Sequence, residues 1–241
     1  YDGTLFSGSQ HQGKSRTVQS EVEQALRSLG WQGRHIQIAG RTDSGVHASG
    51  QVIAFDLEWK HPPEALKQAL NAHLPEDLAV RQVTLAPDGF DPRRHAHSRT
   101  YVYHVFFDSV RNPLRERYAW RLWPSLALEP LQQAASLLVG KHDFAAFGTP
   151  PRTGSSTVRT VYQSEWQPEA ASLVYRVTAN AFLYHMVRRM VNLQVAVAQG
   201  RLALETLAIL VHSPQQGSQI LTVQGLAPAQ GLFLEEVNYT E

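Results

Sequence analysis

The sequence predicts an α+β protein, and two contrasting patterns of apolar residues support this class. After Thr17, a residue type that often caps helices, apolar residues recur at helical spacing as far as Gly30. By contrast, Thr100 to Phe107 is rich in aromatic and β-branched residues, which is typical of a strand. The chain therefore contains segments of both kinds, and they alternate along it.

The remaining elements follow from the same patterns and from glycines and prolines that end them. The predicted strands are 36–38, 52–55, 78–85, 118–123, 157–166, 172–180 and a last one entered from 227–234. The predicted helices run from 62 to 75, 131 to 139, 182 to 198 and 203 to 211, and 112–117 is a predicted loop. We expect two similar α/β subdomains, 1–108 and 109–241, that share a mostly antiparallel sheet around a central cleft.

The composition limits the class of protein. With 241 residues, 43% of them hydrophobic, the chain can bury a substantial core, and its net charge is only +1. It has no cysteine, which excludes disulfides, thiol nucleophiles and cysteine-ligated metals. No apolar run approaches the roughly 20 residues of a membrane span, so we expect a cytoplasmic protein without a membrane anchor. Because Tyr1-Asp2-Gly3 reads as the end of a strand, we also expect that preceding residues are missing.

The most informative stretch is the polar loop A-G-R-T-D-S-G-V-H-A, residues 39–48, between two predicted strands. Arg41 and Asp43 are two residues apart, so an extended chain places both side chains on one face. Guanidinium groups keep a nearby carboxylate ionised, and an ionised carboxylate can act as a nucleophile. The alternative, which the spacing by itself favours, is a turn aspartate that hydrogen-bonds its own backbone beside Gly45.

A second candidate feature is the arginine pair in the longest predicted helix. Val187 and Met190 flank Arg188 and Arg189, so one arginine must turn towards the apolar side. A buried arginine needs an anion, and Asp43 is the best candidate in the chain.

The 39–48 loop resembles the signature G-R-T-D-x-G-V-H of the tRNA pseudouridine synthases of the TruA type, and the resemblance extends over nearly the whole chain. It implies that Asp43 is the catalytic nucleophile. R-T-Y-V-Y, residues 99–103, resembles the basic-x-Tyr-x-Tyr motif of the family, which implies that Tyr101 is an active-site residue. M-V-R-R-M-V, residues 186–191, resembles the family's M-V-R-x-M-V, which implies that Arg188 pairs with the catalytic aspartate. In the family, the leucine after the glycine of this last loop packs against the target base, so the resemblance of A-P-A-Q-G-L-F-L, residues 227–234, implies this role for Leu232.

Three further stretches carry expectations. Residues 1–12 resemble the opening motif of the family, except that Ser9 stands where an aromatic residue is usual. G-K-H-D-F-A-A-F, residues 140–147, resembles another family motif, which we interpret as a structural cap with two core phenylalanines. The Pro/Gly/Ser loop 149–156, which carries Arg152, is the best candidate for a domain seam.

The densest basic cluster lies at 93–99, where three arginines accompany His95 and His97. A charge run is usually a solvated face, and the alternative is a surface that grips phosphate. The two histidines alternate like metal ligands, but no cysteine or carboxylate partners them at ligand spacing, so we expect no metal. The candidate substrate-binding residues are Lys14, Phe90, Arg93, Arg94, Arg99, Tyr101, Arg152, Arg159 and Leu232.

The family resemblance implies the pseudouridine synthase fold, with the aspartate loop in the N-terminal subdomain and the C-terminal subdomain completing an RNA-binding cleft. It also implies a homodimer, and isomerisation of uridine to pseudouridine in the anticodon arm of tRNA, at positions 38, 39 and 40, without a cofactor. A catalytically dead RNA-binding protein would give Asp43, Tyr101 and Arg188 no reason to occur together. A carboxylate-dependent hydrolase acting on a sugar or nucleoside would need a second acid at defined spacing, and the sequence shows no paired carboxylate near Asp43.

Overall fold

The structure is a computed structural model that describes residues 1–152, 154–215 and 223–240. Residue 153 of the predicted seam loop lies outside the described residues. The chain divides into two compact units, Tyr1–His97 with Glu236–Glu241 and Ser98–Glu235. The predicted division after residue 108 lies within the second unit, eleven residues beyond the division after His97.

Within its part from 1 to 97, the first unit contains two α-helices and three short strands. These are α1 (Val18–Ser28), β1 (Gln37–Ile38), β2 (His47–Ala48), β3 (Ile53–Ala54) and α2 (Pro63–His73). Thr17 caps α1 by accepting a hydrogen bond from the Ser20 amide, as the sequence predicts. Leu26 of α1 and Leu70 of α2 are buried in one cluster with Phe6, so the apolar faces of both helices form the core of this unit.

Two predictions for the first unit are wrong. Residues 1–3 are not the end of a strand, because Gly3 begins a 3₁₀ turn, Gly3–Leu5, that Asp2 caps. Residues 78–85 also lack a strand and are irregular. Val80 satisfies its backbone groups with the side-chain amide of Asn71, which accepts from its N–H over 2.7 Å and donates to its carbonyl over 2.8 Å. A side chain of α2 thus replaces the neighbouring strand that this segment would need.

The second unit is built on a sheet. Its elements are β4 (Ser98–Phe107), α3 (Pro113–Glu116), β5 (Trp120–Leu122), α4 (Leu128–Ser136), β6 (Gly140–Asp143), β7 (Val158–Glu169), β8 (Ser172–Ala179), α5 (Met186–Ala198), α6 (Leu204–His212) and β9 (Leu232–Asn238), of which the first four residues belong to this unit. The strands lie in the order β9-β4-β8-β7-β6, with β5 parallel to β4. Because β4, β8, β7 and β6 pair antiparallel, the predicted α+β class with a mostly antiparallel sheet is confirmed.

The packed face of this sheet is aromatic. Tyr175 lies directly opposite Tyr103 on one side and Trp166 on the other, so the three side chains share a face. All three are buried. The indole N–H of Trp166 donates to Gln194 of α5 over 2.8 Å, which ties that helix to the sheet.

Three details differ from the sequence prediction or refine it. The predicted loop 112–117 contains the short helix α3, which Asn112 caps. The predicted helix from 182 begins only at Met186, because His185 has a left-handed backbone with φ of 67°. In the G-K-H-D-F-A-A-F stretch, Phe144 and Phe147 are buried, as expected. Among the helices of the described residues, none combines the length and apolar character of a bilayer span.

Candidate active site

The loop that carries Asp43 is held by the N-terminal residues of the first unit. The Thr42 N–H donates to the Ser9 hydroxyl over 2.8 Å, and the Ser9 N–H donates to the Thr42 carbonyl over 3.1 Å. Ser9 is completely buried, so both bonds are shielded from water. The residue before Asp43 is therefore fixed by both of its main-chain polar groups.

Two glycines allow the N-terminal residues to approach this loop closely. A Cβ on Gly3 would lie 2.0 Å from the Val46 carbonyl oxygen, and one on Gly8 would lie 2.8 Å from the Thr42 carbonyl oxygen. Gly8 also has φ of +92°, a conformation that favours glycine. The backbone contact with the Asp43 loop therefore requires glycine at both positions.

Gln51 and Tyr1 add side-chain contacts to the same loop. The Gln51 amide donates to the Gly40 carbonyl over 2.7 Å and accepts from the Gly40 N–H over 3.2 Å. The Tyr1 hydroxyl is hydrogen-bonded to that of Thr42, 2.7 Å away. Burial raises the pKa of the Tyr1 phenol, so this hydroxyl stays neutral and keeps its proton for hydrogen bonding.

Asp43 itself lies at the turn of the loop. Its main-chain carbonyl accepts from the Val46 N–H over 3.1 Å, and Gly45 has φ of 79°. Asp43 is half-buried and Arg41 is exposed. The loop is thus rigid at its backbone and still accessible at these two side chains.

An ion pair secures the segment that leads into α1. Both terminal nitrogens of Arg16 donate to Asp77, over 2.7 and 2.9 Å, and its Nε donates to Glu21 over 2.9 Å. The guanidinium also lies over the Phe6 ring, 4.3 Å from its centroid. Hydrogen bonds from Arg16 hold the pKa of Asp77 below its usual value, against the effect of burial. Arg16 therefore links α1, through Glu21, to the segment after α2, through Asp77.

In the second unit, Arg188 is bound to the segment that precedes β9. Its Nε donates to the Ala227 carbonyl over 2.8 Å, and the Ala227 N–H donates to the Arg188 carbonyl over 3.1 Å. One turn further along α5, the Asn192 amide donates to the Gln224 and Gly225 carbonyls, over 3.2 and 3.4 Å. The first turns of α5 and residues 224–227 are therefore joined at several points.

The same segment is fixed at its other end by Tyr103. The Tyr103 hydroxyl donates to the Pro228 carbonyl over 2.8 Å. A Cβ on Gly231 would lie 2.6 Å from the Tyr103 ring, so only glycine fits against it. Burial raises the pKa of Tyr103 well above its usual value, so its hydroxyl remains a donor. Leu232, the next residue, is buried.

Tyr101 lies on β4, two residues before Tyr103. It is buried, and the Phe182 ring meets it edge-on with the centroids 5.1 Å apart. In the second unit, one anchored segment, 224–231, therefore connects two predicted residues: Arg188 of α5 binds it at Ala227, and Leu232 directly follows it. Tyr101 lies on β4, the same strand as Tyr103, whose hydroxyl anchors this segment.

The arginines of the predicted basic cluster at 93–99 lie in different surroundings. Arg93 and Arg94 are exposed, and their N–H groups donate to the Asp91 carboxylate over 2.9 and 3.0 Å. Phe90 packs against the Tyr239 ring, with centroids 5.2 Å apart. The two arginines are thus presented on an ordered turn of the first unit.

The other predicted basic residues are scattered. Arg99 is buried in the second unit and donates to the Asn180 carbonyl over 2.8 Å. Arg159 donates to the Ser156 and Val158 carbonyls, and burial lowers its pKa. Lys14 and Arg152 are exposed loop residues. Arg99 and Arg159 are therefore hydrogen-bonded to main-chain carbonyls, whereas Lys14 and Arg152 are open to solvent.

The sequence reasoning missed Gln51 and the bond between Ser9 and Thr42. The absence of the usual aromatic at Ser9 was a signal, since a small buried hydroxyl suits a hydrogen bond to backbone. Gln51 carried no signal, because its contact depends on the path of the loop. His95, considered as a metal ligand, accepts the Asp91 N–H at Nδ1 over 3.2 Å.

Comparison with known proteins identifies the family. The family model described as tRNA pseudouridine synthase matches residues 1–93 and 134–240. The chain belongs to the tRNA pseudouridine synthase family. This membership confirms the predicted enzyme class, an isomerase, and the predicted family.

Relatives of this synthase cover its whole length. It is 40% identical over 244 residues to tRNA pseudouridine synthase A of Streptococcus equi subsp. equi (strain 4047), spanning 100% of this chain and 96% of the relative. It is 37% identical to the enzyme of that name from Bacillus subtilis (strain 168), over 99% of this chain and 96% of the relative. A third, from Paraburkholderia phymatum (strain DSM 17167 / CIP 108236 / LMG 21445 / STM815), is 36% identical over 100% of this chain and 89% of the relative.

Proposed function

We propose that this synthase isomerises uridine to pseudouridine in the anticodon arm of tRNA, at positions 38, 39 and 40, with Asp43 as nucleophile. The anchoring of Thr42 by buried Ser9 is the observation that carries the proposal. A nucleophile must be held in a reactive geometry, and a loop fixed by two main-chain bonds beside an accessible carboxylate meets that requirement.

The chemistry needs one carboxylate and no oxidant. The bond from uracil N1 to C1′ of the ribose breaks, the base rotates, and C5 bonds to C1′ while its proton is lost to solvent. A carboxylate can attack C1′ or C6 and leave again at the end, so the reaction is an internal rearrangement. A base inside a stem must first leave its stack, which costs a few kcal/mol.

We assign roles to four further residues. Arg188 pairs with Asp43 and orients its carboxylate, and the bond to Ala227 supports this role because it restricts the guanidinium. Arg41, which is exposed, grips phosphate or fills the space that the flipped base leaves. Tyr101 stacks on the base or moves a proton, and Leu232 supports the ring.

Binding of the tRNA is assigned to the basic residues. Exposed Arg93, Arg94, Arg152 and Lys14 suit phosphate contact best. The proposed binding set also includes Phe90, Arg99 and Arg159. Phe90 supports the turn that carries Arg93 and Arg94. The proposal also includes a homodimer in the cytoplasm, with the tRNA lying across both subunits.

Release of tritium from a tRNA transcript labelled at C5 of its uridines tests the reaction, because C5 loses its proton only when pseudouridine forms. We expect release from a transcript with uridine at positions 38, 39 and 40. Replacement of these three uridines by cytidine should abolish it. Release that persists from the replaced transcript would contradict the assigned positions, and no release from either would contradict the activity.

A further inference from the structure

A second group of ionisable side chains lies in the first unit, on α1 and on the segments before and after it. His11, Glu23 and His35 each offer one possible ligand atom, and these atoms all lie within 4.8 Å of one another. Glu23 is fully buried on α1, whereas both histidines are exposed. The group is therefore a buried carboxylate with two imidazoles between it and the solvent.

The distances suit the coordination of a small cation. The Nε2 of His11 lies 2.9 Å from one Glu23 oxygen, and the Nδ1 of His35 lies 3.4 Å from the other. Ligands of a tetrahedral Zn²⁺, each about 2.0–2.2 Å from the ion, lie about 3.4 Å from one another. Small rotations of the two exposed imidazoles would bring the three atoms around one ion.

The main chain already holds the ligands in place. The His11 N–H donates to the Gln19 side chain over 3.1 Å, and Gln19 in turn donates to Glu23 over 2.8 Å. On the other side, the N–H of Ile36, the residue after His35, donates to Glu23 over 3.1 Å. The main chain at or beside each histidine is thus anchored next to the carboxylate. An ion that bound there would restrict less conformational freedom of the protein, which lowers the entropic cost of binding.

The Glu23 carboxylate is held in a fixed position and already lies beside one cation. The Gln19 side chain and the Ile36 N–H both donate to it. Arg27 currently lies 3.2 Å from one carboxylate oxygen, with a side chain that is 53% exposed. The arginine partly neutralises the buried charge and can withdraw into solvent when another cation takes its place.

We propose that His11, Glu23 and His35 bind one divalent transition-metal ion of the zinc class, with water completing its coordination. Two imidazoles and one carboxylate form a ligand set that zinc uses in open sites. The ion would join the loop at 10–16 and the segment at 31–36 to α1. Its role is to stabilise this unit, independently of the proposed reaction.

Titration of the tag-free, metal-depleted full chain with zinc chloride in a calorimeter tests the proposal. We expect one ion per chain with a dissociation constant below about 100 µM. Cobalt chloride should give the visible absorption of four- or five-coordinate Co²⁺, and zinc should raise the unfolding temperature because it binds the folded chain. Substitution Arg27→Gln should tighten binding, since it removes the competing cation.

Matched variants separate this site from general histidine binding. His11→Ala and His35→Ala should each weaken zinc binding at least about tenfold. His73→Ala, which removes an exposed histidine of α2, should leave it unchanged. Glu23→Gln keeps the shape of the side chain but removes its charge, and it should also lose affinity. Both histidines are exposed, so their variants should fold, as circular dichroism will verify.

The proposal fails if wild-type protein binds zinc more weakly than about 100 µM. It also fails if the two histidine variants bind as tightly as wild type. Either result would mean that the cluster is a hydrogen-bonded anchor for the buried carboxylate and nothing more. Neither result would bear on tritium release, so this test and the test of the proposed function are separable.

Discussion

The buried hydroxyl of Ser9 accepts a hydrogen bond from the Thr42 N–H, 2.8 Å away, directly before Asp43 in the chain. We expect Ser9→Ala to leave this buried N–H unsatisfied, at a cost of about 1–3 kcal/mol in folding stability. Because the loop would also lose its fixed position, kcat should fall by about tenfold or more. Thermal unfolding and tritium release measure the two effects. Ser28→Ala, an exposed serine of α1, is the control, and equal behaviour of the two variants would contradict the positioning role.

Removal of the proposed nucleophile is the most direct test of the mechanism. Asp43→Ala should reduce turnover to less than about one hundredth of wild type. The affinity for tRNA should remain within about tenfold, or roughly 1.4 kcal/mol, because phosphate contacts are unaffected. Single-turnover tritium release and filter binding provide the measurements. Asp88→Ala, at an exposed position, should behave like wild type, and substantial residual turnover in Asp43→Ala would refute the assignment.

Arg188 and Asp43 should act as one unit. Arg188→Ala should cut turnover at least about a hundredfold, and adding Asp43→Ala should cost little more, because residues of one unit are non-additive. Arg188→Lys should rescue only part of the activity, since an ammonium ion cannot reproduce the planar guanidinium. Steady-state rates of the single and double variants measure this coupling.

Arg189 supplies the comparison for that experiment. Its Nε is buried, and in the described part of the chain it has no hydrogen-bond partner. If Arg188 is the partner of Asp43, Arg189→Ala should retain more activity than Arg188→Ala. The reverse order would assign the pairing to Arg189 instead.

The exposed pair Arg93 and Arg94 should contribute to affinity through phosphate contacts. Replacing both by alanine should weaken tRNA binding and flatten its salt dependence by about one unit of slope for each lost contact. Binding measured across a series of salt concentrations gives this slope. A double variant of exposed Lys60 and Arg201 controls for net charge. An unchanged slope in the Arg93/Arg94 variant would mean that these arginines are only part of a solvated surface and do not contact phosphate.

The ion pair between Arg16 and Asp77 should make stability depend on pH. The folded pKa of Asp77 is below its ordinary value of 3.8, so its stabilisation is complete above that value and is lost as the pH falls through the folded pKa. Asp77→Asn should therefore destabilise the protein by about 1 kcal/mol at neutral pH and by less in acid. Denaturant unfolding at several pH values measures the difference. Glu76→Gln, at the exposed neighbouring position, should show no such dependence.

Features determined by neighbouring residues were predicted well. The Thr17 cap of α1, the prolines that begin α2, and the apolar faces of both helices each lie within one short stretch, and both helices begin and end close to the predicted residues. Strands β4, β7 and β8 were also found, because each has enough apolar and β-branched residues to be recognised alone.

Features determined by distant residues were not predicted. The segment 78–85 has the composition of a strand, yet Asn71 satisfies the backbone of Val80 and no strand forms. The cluster of His11, Glu23 and His35 was not predicted, because the spacing of these residues does not show that both histidines meet Glu23 on α1. The family resemblance supplied Asp43 and Arg188, but it could not supply Ser9, where this chain departs from the usual residue.

The two-way bond between Arg188 and Ala227 has a genetic consequence. The Ala227 N–H donates to the Arg188 carbonyl, and the Arg188 Nε donates to the Ala227 carbonyl. A shift of residue 227 would therefore also displace Arg188. Substitutions at 224–228 should therefore produce the same loss of modification as changes at Arg188. In a selection for restored tRNA modification, second-site suppressors of a mild Arg188 allele should concentrate in that short segment.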